Sequence, residues 1–150
     1  MNRKLHRLIA MPARQRRLMA QAIVSIAATR LALAALPVRR VRRIFWSLIG
    51  ARTVAESDKR CSLETVIHLV GVGAKYSPAG STCLSVALVA QALLQRHGYE
   101  SQFRIGVKRS AEGVFAAHAW LERDGRVIVG GPLALVQDYK PLPDVEGLLA

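Results

Sequence analysis

Cys83 opens an apolar run, and thirty-five positions later His118 sits in the alternating stretch Val114–Glu122. A thiol at a helix start and an imidazole on a strand are the two parts a cysteine nucleophile needs. The N-terminus of a helix carries roughly half a positive charge, which favours thiolate over thiol. A neighbouring imidazole takes the thiol proton and later delivers it to a leaving group. The chemistry in view is covalent attack on a carbonyl carbon, with His118 as base and then acid.

The elements around this pair can be read from periodicity. Cys83 to His97 is the clearest helix: Leu84, Val86, Leu88, Val89, Leu93 and Leu94 make it apolar nearly all round, Ser81 or Thr82 can cap it, and Gly98 closes it. A helix of that kind is buried. Ser62–Val70 reads as a shorter helix, capped near Ser62 and ended by Gly71 and Gly73. Beyond Gly98, Phe103, Ile105 and Val107 alternate with polar residues, Val114–Glu122 follows, and Asp124-Gly125 is a two-residue hairpin turn leading into Arg126–Gly131. Past Pro132 the tail reads as mostly irregular. Along Val114–Glu122, His118 shares a face with Ala116, Trp120 and Glu122, while Phe115, Ala117, Ala119 and Leu121 face the other way. Either face can pack on the helix; only the first brings His118 to Cys83.

The front of the chain differs in kind. Residues 1–60 hold 14 Lys and Arg against Glu56 and Asp58, whereas residues 61–150 hold eight of each sign. Residues 1–55 read as a basic helical segment and 56–150 as a neutral body. Leu18, Ala22, Ile26 and Leu33 fall near helical spacing, and Pro37 divides that helix from the next. Val41, Ile44, Phe45, Leu48 and Ile49 form a second stripe, with Arg39, Arg40, Arg42 and Arg43 crowding its start against the helix dipole. The segment suits an acidic partner or a membrane surface. Nucleic acid is disfavoured, because Phe45 and Trp46 are its only aromatics. The apolar stretch Leu18–Leu36 is broken by Arg30 and ends at Pro37, so a membrane span is not expected, although peripheral contact stays open.

Two cysteines are too few for a disulfide framework, and a reducing cytoplasm is the expected setting. Cys61, Cys83, His68 and His118 lack the spacing of a zinc site. Gly71-Val72-Gly73 lacks the context of a phosphate loop, so no cofactor is expected. Cys61 reads as structural filler, His68 as a helix-face residue and His97 as a cation favoured at a helix C-terminus.

Thr82-Cys83-Leu84-Ser85 with Ala87 and Leu88, then Arg104-Ile105-Gly106-Val107 and His118-Ala119-Trp120-Leu121-Glu122-Arg123-Asp124-Gly125, resemble the lasso-peptide maturation B-proteins, which lie in the transglutaminase-like cysteine protease superfamily. The resemblance covers about residues 60–145. It implies an α+β fold: a papain-like core in which a buried Cys helix packs on a small antiparallel sheet, preceded here by basic helices. It also implies a leader peptidase that cuts a ribosomally made precursor, with Cys83 as nucleophile and His118 as base and acid. Residues 1–55 lack the strands of a leader-recognition module, so the chain resembles the split form, whose partners are a separate recognition protein and an ATP-dependent macrolactam cyclase. The superfamily's third residue, which orients the imidazole, has no carboxylate at its place in Val127–Gly131. Asp138 or Gln137 reaching back from the tail, a backbone carbonyl or a water are the candidates. A non-catalytic adaptor docking through the basic helices, and acyl transfer to an amine, are the competing readings.

Overall fold

The computed structural model describes residues 10–50, 60–143 and 147; the helical reading of residues 1–9 and 51–55 lies outside them. The first helix, α1, runs Ala13–Ala35 and ends where Leu36 turns extended before Pro37. Pro37 is the N-cap of α2, Val38–Phe45, which widens into a π-helical turn, Trp46–Gly50. That turn changes the residue phase. Within it Ile49 is buried and Leu48 exposed, and before it Val41 is buried while Ile44 of the expected stripe is exposed.

Helix α3 spans Leu63–Tyr76, with the Ser62 hydroxyl accepting from the Thr65 N–H at 3.2 Å. The two glycines expected to end it lie inside it. Packing explains one of them: a Cβ on Gly73 would lie 2.9 Å from Ala22 Cβ and 3.2 Å from the Ile23 nitrogen, so α1 and α3 cross at backbone contact. Helix propensity, about 1 kcal/mol against glycine, is outweighed by that approach.

Helix α4, Cys83–Arg96, is the axis of the core. Thr82 and Ser85 form a reciprocal capping box, and Gly98 at φ +85° closes the other end. Ser85 and every residue from Ala87 to Leu94 are buried. Leu18, Ala22 and Ile26 of α1, Val66, Leu69 and Val70 of α3, and Phe103, Ala119 and Leu121 of the sheet all join one apolar cluster around α4. Each fully buried Leu or Ile is worth about 1.5–3 kcal/mol.

The sheet has order β3-β2-β1-β4, all antiparallel, from β1 Gln102–Arg109, β2 Phe115–Arg123, β3 Arg126–Val129 and β4 Lys140–Pro141. Asp124 at φ 50° and Gly125 at φ 72° give the β2–β3 hairpin both positive angles it requires. A bulge beside Leu121 slips the hairpin by one residue, pairing Leu121 with Val129. The tail differs from expectation: a short helix, α5 Leu133–Val136, leads into β4, whose Pro141 and Lys140 sit opposite Gly106 and Val107. Two residues are too few for a period-two signal, and proline is tolerated there because β4 is an edge. The α+β architecture, with the Cys helix buried against a small antiparallel sheet, is the one expected.

Candidate functional site

Cys83 is the first residue of α4 and is half-buried against the core. Thr82 holds the start in place: its hydroxyl accepts from the Ser85 N–H at 3.2 Å, and the Ser85 hydroxyl accepts from the Thr82 N–H at 2.9 Å. Such a cap is worth about 1 kcal/mol. It takes up the third donor of the first turn and leaves the Cys83 and Leu84 N–H groups outside the helical ladder, beside the sulfur.

The far end of α4 lies against the β2–β3 hairpin. Gln91, Gln95 and Gly98 line one open cavity with Gln102 and Glu122–Gly125, and Arg123 donates to the Glu100 carbonyl at 2.7 Å. Cys83 and His118 each lie about 20 Å along their own element from this cavity. Ala117 and Phe115, on the α4 side of β2, are exposed.

The two candidate residues do not share a face of the sheet, so the packing that would bring His118 to Cys83 is not the one adopted. Ala119 and Leu121 pack on α4, so the alternation sends His118 out with Trp120 on the opposite face. His118 Nε2 lies 2.5 Å from the Gly130 carbonyl oxygen. Its ring stacks on Trp120 with centroids 6.2 Å apart and meets Tyr139 at 5.3 Å. Among the described residues neither the Cys83 thiol nor Asp138 makes a hydrogen bond, and Asp138 makes no ion pair. Asp138 is exposed in the turn between α5 and β4. The structure thus puts Gly130, and not Asp138, against the imidazole. A carbonyl oxygen can only accept, so this contact puts the ring proton on Nε2 and leaves Nδ1 as the basic nitrogen.

The His118 mount was only partly visible beforehand. Trp120 is buried, its Nε1 donating to Glu122 Oε1 at 2.8 Å while Arg104 Nε reaches Glu122 Oε2 at 3.4 Å. Its indole lies over Gly106, where a Cβ would stand 2.7 Å from the ring and 2.8 Å from Tyr139 Cβ. Gly130 sits at φ +110°, and a Cβ there would stand 2.5 Å from Trp120 Cβ. The paired glycines at 130 and 131 were the available signal, since both have positive φ. Nothing in the local sequence announces Tyr139, which arrives with the unexpected β4; Lys108 Nζ stands over its ring, 4.7 Å from the centroid.

The second cysteine and its histidine are built differently. The Cys61 backbone N–H, not its thiol, donates to His97 Nδ1 at 3.1 Å, and the Tyr99 hydroxyl donates to the Cys61 carbonyl at 3.2 Å. Burial pushes the Cys61 thiol above its usual range, against the lowering pull of Arg14. His97 is no helix-end cation: burial, then the Arg96 and Arg60 charges, push it below its ordinary 6.5, so it sits neutral with Nδ1 as acceptor. His68 lies exposed on α3, as a helix-face residue. Among the described residues no group of three His, Cys, Asp or Glu is arranged to hold a metal ion.

A family model described as the transglutaminase-like superfamily matches residues 23–144, most of the chain and both candidate residues. No curated protein and no solved structure matches.

Proposed function

The chain belongs to the transglutaminase-like superfamily, which includes cysteine proteases and acyltransferases, and within it we propose a cysteine peptidase that removes the leader from a ribosomally made lasso-peptide precursor. One observation carries the reading. Cys83 is the first residue of a capped helix whose body is buried, and the His118 ring is fixed by its Nε2 on the Gly130 carbonyl.

In this reading the Cys83 sulfur, as thiolate, adds to the carbonyl carbon at the leader's end. The Cys83 and Leu84 N–H groups receive the developing oxyanion, a contribution of up to two or three powers of ten in rate for one well-placed donor. His118 Nδ1, once its ring comes round from the face of β2 opposite α4, takes the thiol proton and gives it to the leaving amine as the C–N bond breaks. That amine becomes the N-terminus of the core peptide. Water then adds to the thioester while Nδ1 takes its proton, and the thiolate leaves with the leader as free acid. Gly130 does the orienting that a carboxylate would otherwise do; because it is neutral it fixes the ring but stabilises the imidazolium less. The partners are the leader peptide, a separate leader-recognition protein and an ATP-dependent macrolactam cyclase, in the cytoplasm.

The test is direct. Precursor, recognition protein and this chain are incubated together and leader release is followed by mass spectrometry. Release that disappears in Cys83→Ala supports the peptidase. Product carrying an added amine instead of water converts the reading to acyl transfer by the same thioester. Binding without turnover supports an adaptor, the reading favoured by the missing thiol–imidazole hydrogen bond.

A further inference from the structure

The outward side of α1 is apolar where a helix on a soluble body is ordinarily charged. Among its exposed residues from Ala20 to Ala35, Arg30 alone is polar. Ala20, Val24, Ala28, Leu31 and Ala35 follow one line along the helix for about 23 Å, and Val24 and Leu31 are each 66% exposed. The other side of α1 is already used, since Leu18, Ala22 and Ile26 are in the core and Gly73 abuts Ala22. The line begins at exposed Arg17, and the next helix exposes Arg40 and Arg43, followed by exposed Ile44 and Leu48. No Asp or Glu occurs before Glu56.

We propose that this face of α1, with the arginines at its ends, docks the protein on an anionic phospholipid surface, lying on the bilayer and not crossing it. The charge complementarity is one-sided: an all-cationic front end is attracted to an anionic leaflet, each arginine near it being worth about fivefold in binding. The apolar line supplies the shallow insertion such helices use. A helix 23 residues long and of mean hydropathy 1.6 over its best stretch could span a bilayer by length and composition, but its inner side cannot leave α3 and α4 without opening the core. A folded protein partner fits less well, because the line has no aromatic and no hydrogen-bonding side chain, the groups that anchor protein interfaces.

Flotation of the full chain with vesicles of phosphatidylcholine plus phosphatidylglycerol, against phosphatidylcholine alone, tests this. The expected result is binding at least about tenfold stronger to the anionic vesicles and weakened by salt. Val24→Glu/Leu31→Glu and Arg40→Gln/Arg43→Gln should each lower it about tenfold or more, with circular dichroism and Tm unchanged because all four side chains are exposed. Absence of flotation, or flotation that survives Val24→Glu/Leu31→Glu, overturns the proposal. So does a dimer on size exclusion that the same double variant dissolves, which assigns the face to a second copy. Salt-sensitive binding to polyglutamate without vesicle binding overturns it too, in favour of an acidic polypeptide.

Discussion

The chain holds two cysteine–histidine neighbourhoods, and they teach opposite lessons. At Cys61 and His97 the residues meet, yet through the wrong atoms for catalysis: the backbone N–H fills the ring nitrogen, and burial holds the thiol protonated. At Cys83 and His118 the residues make no hydrogen bond, yet each is prepared on its own, the sulfur at an open helix start and the ring with its proton fixed on Nε2. Under the proposed function, the state in which each residue is held counts for more than contact between them. The first pair clasps the entry of α3 to the exit of α4, and the second is left accessible.

The comparison breaks most sharply on activity. Cys83→Ala is expected to abolish leader release and His118→Ala to lower kcat/KM by about 10² to 10⁴, while Cys61→Ala leaves it unchanged apart from stability; time courses by mass spectrometry decide this. Equal losses from both cysteines would erase the distinction. Alkylation sharpens it without any substrate. Iodoacetamide at pH 8 should modify Cys83 at least about a hundredfold faster than Cys61 in the native protein, read by peptide mass. If His118 shares the thiol proton, His118→Ala will also move the pH profile of Cys83 alkylation.

Next in size is the mounting of His118. Gly130→Ala forces a Cβ into Trp120 at a positive φ, and is expected to cost about 1–3 kcal/mol in urea unfolding, with kcat falling more than KM rises.

The clasp has a pH signature. Because His97 is held below its ordinary value, the unfolded chain binds more protons than the folded one below about pH 6.5. Stability should therefore fall as pH drops through that range, and level off once the folded protein is protonated as well. His97→Asn keeps an acceptor for the Cys61 N–H and removes the titration, so its Tm should lose that slope between pH 7 and 5. The smallest expected effect is at Asp138. Asp138→Asn should leave kcat/KM within about twofold, under about 0.5 kcal/mol, because the imidazole already has Gly130.

What the sequence made legible was local. The Thr82–Ser85 box, the Asp124-Gly125 turn, Gly98 and the apolar circumference of α4 each involve residues within a turn or two of one another, so residue type alone specifies them. Apart from the stripe around the π-helical turn, the misreadings came from distance. Gly71 and Gly73 look like a helix end until α1 is known to press on Gly73. Lys140 and Pro141 look like loop until β1 offers them an edge. Arg96 and Arg60 beside a buried His97 reverse its expected charge. A backbone carbonyl was among the candidates for orienting His118, but which one was hidden by a one-residue slip in the hairpin that no side-chain pattern records. The cysteine and histidine could be nominated from type and spacing, but their faces could not, since Ala116 and Trp120 suit burial as well as Ala119 and Leu121 do.

The shortness of β4 constrains how a substrate strand could join this sheet. Leu142 donates to the Ile105 carbonyl at 2.8 Å and closes the ladder, and Pro141 has no N–H with which to extend it, so that border is sealed against a further chain. Among the described residues the opposite border, Arg126–Val129, pairs with no further strand, and it runs directly into the glycine that grips the imidazole. An extended polypeptide laid along it would be zipped, one amide after another, toward the histidine.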